Sequence, residues 1–347
     1  MSPASPRRPY PGALTPTTRP YAPLPLFNLR RLPRLAELAW RYGGAKKFAN
    51  LFAAERDYRR RAVRPAARPY LFRADPDSEC DVNCPYCWQT LAPPRAPAKL
   101  SLAAFRAGFD PFADRLLLTF FHFFGEPTWN DELPAMIAHA HRARSATYLS
   151  TNLQRDDDAY HADLLSSGLD LLTINLDAAT PETYRRMKPR ADFDRLRRNI
   201  ERIVAKRRTL RRPPHLVFQV LVTRFNEPEL PVLRDLARRW GADYLDLKPT
   251  GFLPDDSWLP LDRRHHLMQN PPGRISCAQP WTNLTLLADG RYFPCCAFPG
   301  DFALAAAGAD AEAVWNGEAL QAIRAGFRAG ELHEFCRECP VARIPRF

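Results

Sequence analysis

Short apolar segments alternate with amphipathic segments along the middle of the chain, and this alternation constrains the fold more than any other feature. The apolar segments have the length of buried strands, and the amphipathic ones have helical spacing. Strands that alternate with helices predict an α/β fold with a parallel sheet. Six such units are too few for a closed eight-stranded barrel, but they suit an open, partial (β/α)6 barrel over residues 70–251. The predicted strands lie at 70–73, 116–121, 147–150, 171–176, 216–222 and 244–247, with helices near 101–110, 131–143, 157–166, 192–208 and 227–240.

The residues that precede this core carry the excess positive charge of the chain. Residues 1–70 hold 15 Lys and Arg against 3 Asp and Glu, which equals the formal net charge of +12 of the whole chain. A neutral body argues against a protein built mainly to hold nucleic acid. Residues 1–27 are rich in proline and are predicted to be a disordered lead-in. Residues 28–69 predict a basic helical extension that packs on the core, or alternatively an arm that contacts an anionic surface or partner.

The pattern changes after the sixth predicted strand, so residues 252–347 are predicted to form a small second domain. Asn283–Leu287 and Arg291–Phe293 flank Asp289-Gly290, which predicts a hairpin with both central residues at positive φ, followed by a helix near 312–327. The longest mainly apolar run, Leu116–Phe124, is shorter than a membrane-spanning helix. No secretory signal pattern is evident, so we expect a cytoplasmic protein.

Eight cysteines fall in two groups, and in a cytoplasmic chain such groups favour metal ligands over disulfides. Cys80, Cys84 and Cys87 have C-x3-C-x2-C spacing directly after the first predicted strand. Three thiolates on one loop can hold three irons of a 4Fe–4S cluster and leave the fourth iron open. The alternative is zinc, which would need a fourth ligand close by, such as Asp81.

This loop, together with the polar residues that follow the next strands, resembles the radical S-adenosylmethionine (SAM) superfamily. The second strand ends in Phe124-Gly125-Glu126-Pro127, where the family usually has Gly-Gly-Glu-Pro, so Phe124 departs from the pattern. Ser150-Thr151-Asn152 and Asn175-Leu176-Asp177 end the third and fourth strands. The resemblance implies that the protein cleaves SAM reductively to a 5′-deoxyadenosyl radical, which takes a hydrogen atom from a substrate. The SAM contacts that it implies are Tyr86, Gly125, Glu126, Pro127, Ser150, Asn152 and Asp177, although Tyr86 could serve packing alone.

A second cysteine set resembles the SPASM and twitch extensions of the same superfamily. Cys277 and Cys295 flank Gly290 in the pattern C-x(9–15)-G-x4-C, and Cys336 and Cys339 complete four ligands. The pattern is close to the twitch domain of the butirosin aminocyclitol dehydrogenase, and it implies one auxiliary 4Fe–4S cluster. Structural zinc is the alternative for this set.

The resemblance implies an oxidoreductase or epimerase that acts on a small polar substrate, such as a sugar, an aminocyclitol or a nucleoside. The auxiliary cluster would transfer electrons, and an external donor such as flavodoxin or ferredoxin would supply them. The alternatives are a maturase of a ribosomally made peptide and, more distantly, a zinc-ribbon binding protein. Arg185, Arg186 and Lys188 follow the fourth strand, and we expect them on a solvent-exposed helix face, with the binding of an anionic substrate group as the alternative. A core position is expected for His122. Candidate catalytic residues are Lys248 and Asp246, which share one face of a strand, and the spare thiol of Cys296.

Overall fold

The computed structural model describes residues 41–91, 96–249, 253–266, 277–295 and 302–339. The predicted lead-in at 1–27, the first part of the N-terminal extension and Cys296 lie outside the described residues.

The described strands form a single sheet in the order β6-β5-β4-β3-β2-β1-β7-β8. Neighbouring strands from β1 to β7 are parallel, and β8 is antiparallel to β7. The sheet is open, because β6 and β8 lie at its two edges. All six strands predicted from the apolar segments are therefore confirmed, and β7 extends their sheet beside β1. The strands are β1 (Leu71–Ala74), β2 (Leu118–Phe121), β3 (Ala146–Thr151), β4 (Leu171–Asn175), β5 (His215–Val222), β6 (Tyr244–Pro249), β7 (Asn283–Leu286) and β8 (Tyr292–Phe293).

Several helices begin where a polar side chain satisfies free backbone N–H groups. Ser101, Asp157 and Asp192 each accept hydrogen bonds from the first turn of a helix, which is the usual role of these residue types at an N-cap. The five helices predicted between the strands are confirmed. The helices are α1 (Ala45–Arg59), α2 (Trp88–Leu91), α3 (Leu102–Phe109), α4 (Leu133–Arg142), α5 (Asp158–Ser166), α6 (Pro181–Met187), α7 (Phe193–Thr209), α8 (Leu230–Arg239), α9 (Gln279–Thr282), α10 (Ala311–Trp315), α11 (Glu318–Ala329) and α12 (Glu334–Glu338).

Two local predictions for the C-terminal segment were wrong. In the β7–β8 turn only Gly290 has positive φ, at 83°, and Asp289 does not. Gly290 N donates to Leu287 O and Leu287 N donates to Arg291 O, which makes a three-residue loop with the glycine in the left-handed position. The helix expected at 312–327 is two helices, α10 and α11. The helical conformation is interrupted at Asn316 and Gly317, which lie between them.

The two faces of the sheet have different partners. Alternate side chains, including Phe72, Leu149 and Phe218, pack against the helices that connect the strands, and we call this side the helix face. The opposite side, which we call the inner face, is covered near the start of the strands by α1. There Leu51 and Ala54 of α1 join Leu118 and Tyr148 in a separate apolar cluster. This burial agrees with the packed alternative for residues 45–59.

Within the described ranges, none of the helices combines the length and the apolar character that a membrane crossing requires.

Candidate cofactor and cluster site

The first cysteine group lies on the loop that leaves the carboxyl end of β1. Cys87 N donates to Cys84 O at 2.9 Å, and Asp77 accepts from Glu79 N at 2.9 Å, so backbone bonds hold the loop. Cys84 is buried, and Cys80 and Cys87 are half-buried. Burial raises the pKa of Cys84 to about 12 and raises the pKa of Cys80 and of Cys87. The free thiols are therefore protonated at neutral pH, and metal binding must release their protons.

The loop after β2 runs directly against the cysteine loop at Gly125. A Cβ atom at this position would lie 2.0 Å from Asp77 O and 2.5 Å from Glu79 O, both of which are backbone atoms. The next residue, Glu126, donates its N–H to Glu79 O at 2.7 Å. Only glycine therefore allows the two loops to approach this closely.

The buried carboxylate of Glu126 ties the end of β2 to the end of β3. It accepts from Thr128 N at 3.1 Å, Thr128 Oγ1 at 2.6 Å, Thr151 Oγ1 at 2.5 Å and Asn152 N at 2.7 Å. Burial raises the pKa of Glu126, although these four donors oppose the shift. The carboxylate thus organises this part of the sheet edge through contacts within the protein.

The amide of Asn152 reaches back to the cysteine loop. Its Nδ2 donates to Asp81 Oδ1 at 2.8 Å and lies 3.6 Å from Cys80 Sγ. Hydrogen bonds to ligand sulfurs orient them and tune the potential of an iron–sulfur cluster. The neighbouring Ser150 bonds Asn175 Oδ1 at 3.3 Å. The roles of Ser150 and Asn152 as SAM contacts remain predictions.

Asp177 is the centre of a buried network at the ends of β4 and β5. It has a φ of 56°, a left-handed conformation that Asp tolerates, and its Oδ1 accepts from Leu221 N at 2.7 Å. Its Oδ2 pairs with Lys188 Nζ at 2.8 Å and accepts from Tyr86 Oη at 3.3 Å. Burial opposes the charge of Lys188, but Asp177 outweighs it and raises the pKa of this amine. The expected solvent exposure of Lys188 was therefore wrong, because Asp177 draws it inward.

Tyr86 also belongs to an aromatic group that the sequence motifs did not reveal. Its ring meets Trp258 edge-on at 6.0 Å between centroids, and Trp258 meets Phe225 at 4.8 Å. The guanidinium of Arg186 lies 3.5 Å from the centre of the Phe225 ring. No periodic signal marks Trp258, because it reaches this group from a 3₁₀ turn beyond β6.

The second cysteine group lies beside the loop after β2. Burial and the neighbouring Cys277 and Cys339 raise the pKa of Cys336 to about 12. Cys295 and Cys336 also share an apolar cluster with Phe123 and Phe124. Phe124 packs edge-on against Phe293 of β8, at 6.3 Å between centroids. The residue that departs from the family motif therefore forms part of the contact with the C-terminal segment.

The spacing of the thiols bears on which metal centre they fit. Among the described residues, no three cysteine sulfurs lie within 4.8 Å of one another. Four thiolates around one tetrahedral zinc would be about 3.8 Å apart, given zinc–sulfur bonds of about 2.3 Å. The thiolates of a 4Fe–4S cluster each bind a different iron and lie farther apart. The spacing of both cysteine sets is compatible with a 4Fe–4S cluster.

Asp246 and Lys248 lie on the inner face of β6, as the alternation along the strand predicts. Their side chains are 27% and 32% exposed, and Lys248 Nζ lies 3.6 Å from Asp246 Oδ2. Their catalytic role remains a prediction.

Comparison with known proteins identifies both parts of this arrangement. The family model described as the radical SAM superfamily matches residues 78–236, and a SPASM iron–sulfur cluster-binding domain matches residues 277–340. The chain therefore contains a radical SAM domain followed by a SPASM domain. The family binds a 4Fe–4S cluster and SAM, and the SPASM domain binds auxiliary iron–sulfur clusters, so the predicted cofactors are confirmed. The family indicates an enzyme, in place of the zinc-ribbon binding protein considered as a distant alternative.

Solved structures show the same fold. Streptococcus suis SuiB bound to SAM has a TM-score of 0.59 and 14% identity, over 74% of this radical SAM chain and 68% of SuiB. anSMEcpe with bound SAM has a TM-score of 0.53 and 12% identity, over 79% of this chain and 88% of that one. BtrN in complex with SAM and 2-DOIA has a TM-score of 0.47 and 13% identity, over 80% and 92% of the two chains. At these identities the likeness to SuiB and to anSMEcpe concerns the fold alone.

Proposed function

We propose that this radical SAM protein oxidises or epimerises a small polar substrate and uses a single auxiliary cluster for electron transfer. The placement of the two cysteine sets carries this proposal. Cys295 and Cys336 pack against the same apolar cluster as Phe123 and Phe124, and the loop that holds these two rings continues into Gly125, which contacts the first cysteine loop. An auxiliary centre in this position would lie close to the proposed SAM site.

Each cysteine set has a distinct assignment. Cys80, Cys84 and Cys87 would hold the cluster that binds SAM, and when bound this pair of cofactors supplies hydrogen-atom abstraction. Cys277, Cys295, Cys336 and Cys339 would hold the auxiliary cluster. Four protein ligands leave no iron open to the substrate, which favours electron transfer over direct substrate binding.

Four residues of the chain have distinct tasks in this reaction. Glu126 holds the ends of β2 and β3 together, and Asn152 orients Cys80 through its N–H group. We assign proton acceptance during substrate oxidation to Asp246, because its carboxylate is partly exposed on the inner face and lies next to Lys248. Lys248 then holds this carboxylate in position.

A peptide maturase is the second candidate. SuiB bound to its precursor peptide SuiA matches this chain with a TM-score of 0.58 and 12% identity, over 87% of this chain. Many such maturases recognise their peptide through an N-terminal module that contains strands. In the described part of the N-terminal extension, residues 41–69, no strand precedes β1, which favours the small-molecule candidate.

The test is anaerobic reconstitution with an iron count and an assay of SAM cleavage after reduction. We expect about eight irons per chain and formation of 5′-deoxyadenosine. The triple variant C80A/C84A/C87A should lose about four irons and all cleavage, whereas C277A/C295A should lose about four irons at the auxiliary set. C296A is the matched control for iron content and should keep about eight. Zinc at the second set would contradict electron transfer and favour epimerisation, and absence of both iron and cleavage would overturn the proposal.

A further inference from the structure

Arg73 places a guanidinium on the inner face of the sheet, at the third residue of β1. In the strand register it lies beside Phe120 of β2 and Thr285 of β7. Its side chain is buried, with 9% of the residue exposed, and its guanidinium carbon lies 4.8 Å from the centre of the Phe120 ring. Arg73 lies two residues before Asp75, which corresponds to about 7 Å along the strand. The cysteine loop begins at Asp75.

This charge has no carboxylate partner among the described residues. Arg73 Nη1 donates to His122 O at 3.2 Å, whereas its buried Nε has no hydrogen-bond partner. A charge that is buried without a counter-ion is costly to the folded state. Only one hydrogen bond and the face of the Phe120 ring offset this cost for Arg73.

Arg324 shows how this chain satisfies a buried arginine that has a structural role. It is fully buried and donates to Pro280 O at 2.8 Å, Asn316 Oδ1 at 3.2 Å and Val63 O at 3.5 Å. Although its Nη2 has no partner, these three acceptors join the C-terminal helices to the segment before β1. Arg73 makes no comparable link.

The carboxylates nearest to Arg73 on the inner face have other contacts. Asp246 lies next to Lys248, and the buried Asp75 of the same strand accepts a hydrogen bond from Phe124 N, so neither forms an ion pair with Arg73. Burial lowers the pKa of His122 well below its usual value, and the charges of Arg73 and Lys248 lower it further. The Nδ1 atom of His122 is buried and has no partner. Half-buried polar residues continue the face toward the end of the strands, namely Ser150, Asn175 and Gln219.

We infer that the inner face binds the substrate through a carboxylate that pairs with Arg73, with His122 as a hydrogen-bonding neighbour. The planar guanidinium can accept a carboxylate in a bidentate pair, which supplies both charge and orientation. A carboxylate matches a single uncompensated positive charge, whereas a phosphate carries about −1.5 to −2 charges. This inference rests on the proposed function, because it assigns the substrate class of the same site. The carboxylate can belong to a small acid or to an acidic side chain of a peptide.

The first test measures binding to the holoenzyme with SAM by saturation-transfer NMR, using matched pairs of acid and amide. Glucuronate and glucuronamide represent small acids, and N-acetylglutamate α-amide and N-acetylglutamine α-amide represent peptide side chains. We expect the acid of one pair to bind roughly 10- to 100-fold more tightly than its amide, and the pair that binds identifies the source. R73Q should abolish this preference and R73K should keep part of it, because a point charge replaces the bidentate fork. Equal binding of acid and amide, an unchanged preference in R73Q, or no binding of either pair overturns the inference.

The second test needs no ligand and separates a binding role from a structural one. R73M removes a buried charge that lacks a counter-ion, so we expect the Tm of the ligand-free protein to stay constant or to rise. R324M is the matched control and should lower the Tm, because three acceptors lose their donor. A loss of Tm in R73M as large as that in R324M would make Arg73 structural and overturn the inference. The first test needs the iron-loaded protein but no SAM cleavage, and the second needs neither, so failure of either test is distinct from failure of the proposed radical chemistry.

Discussion

Single atomic contacts determine which residue types can occupy the loop after β2. Gly125 is required by its contact with two backbone carbonyls of the cysteine loop, not by an unusual backbone angle. Phe124, the residue before it, can depart from the family's usual glycine because its ring packs against Phe293. Neighbouring positions of one motif are therefore constrained by different contacts.

We predict that G125A will disrupt the first cluster site. Its Cβ would overlap Asp77 O and Glu79 O, so the cysteine loop must move. The expected result is a loss of about four irons per chain after reconstitution, measured by iron analysis.

G44A is the matched control for this glycine substitution. A Cβ at Gly44 would meet nothing within 4 Å, and its φ of 170° is extended backbone. We expect G44A to keep its iron and to change stability by no more than about 1 kcal/mol. A fully loaded G125A protein would contradict the close approach of the two loops.

The helix α1 closes the inner face at the start of the strands, and its polar contacts explain its placement. Lys47, in its first turn, donates to Ala143 O at 3.1 Å and Arg144 O at 2.7 Å, in the turn that leads into β3. Tyr42, just before α1, donates to Asp170 in the turn that leads into β4. One charge of the basic N-terminal extension, the amine of Lys47, is therefore buried and hydrogen-bonded within the molecule.

Lys47 should make stability depend on pH above neutrality. Burial, with Arg144 nearby, lowers its pKa to about 8. The pKa in the unfolded chain is about 10.4, so between these pH values the unfolded chain binds more protons than the folded one. The free energy of unfolding should therefore rise as the pH increases from about 8 to about 10.4, by up to about 3 kcal/mol.

Urea unfolding at pH 7.5 and pH 9.5 under reducing conditions would measure this rise. K47M should lack the part of the rise that Lys47 contributes, whereas K46M should keep it, because the Lys46 side chain is 74% exposed. Equal pH dependence in K47M and the wild-type protein would show that Lys47 is not the titrating group.

β1 joins the two parts of the molecule, because it pairs with a strand of the radical SAM domain on one side and with a strand of the SPASM segment on the other. β7 pairs with all of Leu71–Ala74 on the side opposite β2. Trp281 Nε1 donates to Ala62 O at 2.8 Å, and Trp315 Nε1 donates to Ala67 O at 2.8 Å. The C-terminal segment therefore contributes to the same structure as the segment before β1.

We predict that a chain lacking residues 277–347 will not yield a stable core. Its β1 would become an unpaired edge beside a hydrophobic core, which is a template for aggregation. The expected result is loss of soluble, monomeric protein, measured by size-exclusion chromatography beside the full chain. A soluble, folded monomer of the shortened chain would show that the radical SAM core is stable without the SPASM segment.

Local patterns in the sequence were enough to predict the helices and strands of the core. They follow from the spacing of apolar residues, and that signal lies within short segments. Cysteine spacing likewise predicts the two sets of cluster ligands, and that assignment stays a prediction. The positive φ of Gly290 was also predicted. The positive φ predicted for Asp289 was wrong, and the Asp289 carboxylate accepts hydrogen bonds from Arg291 N and Nε.

Contacts between distant residues were decided only by the tertiary structure. The sequence alone predicts a solvent-exposed helix face for Lys188. In the structure its amine lies 2.8 Å from the carboxylate of Asp177 and is buried. Likewise, no spacing in the sequence shows that β7 lies beside β1, or that Arg73 is buried without a counter-ion. The physical reason is that the free energy of a buried charge depends on which groups surround it in space, and folding brings those groups from different parts of the chain.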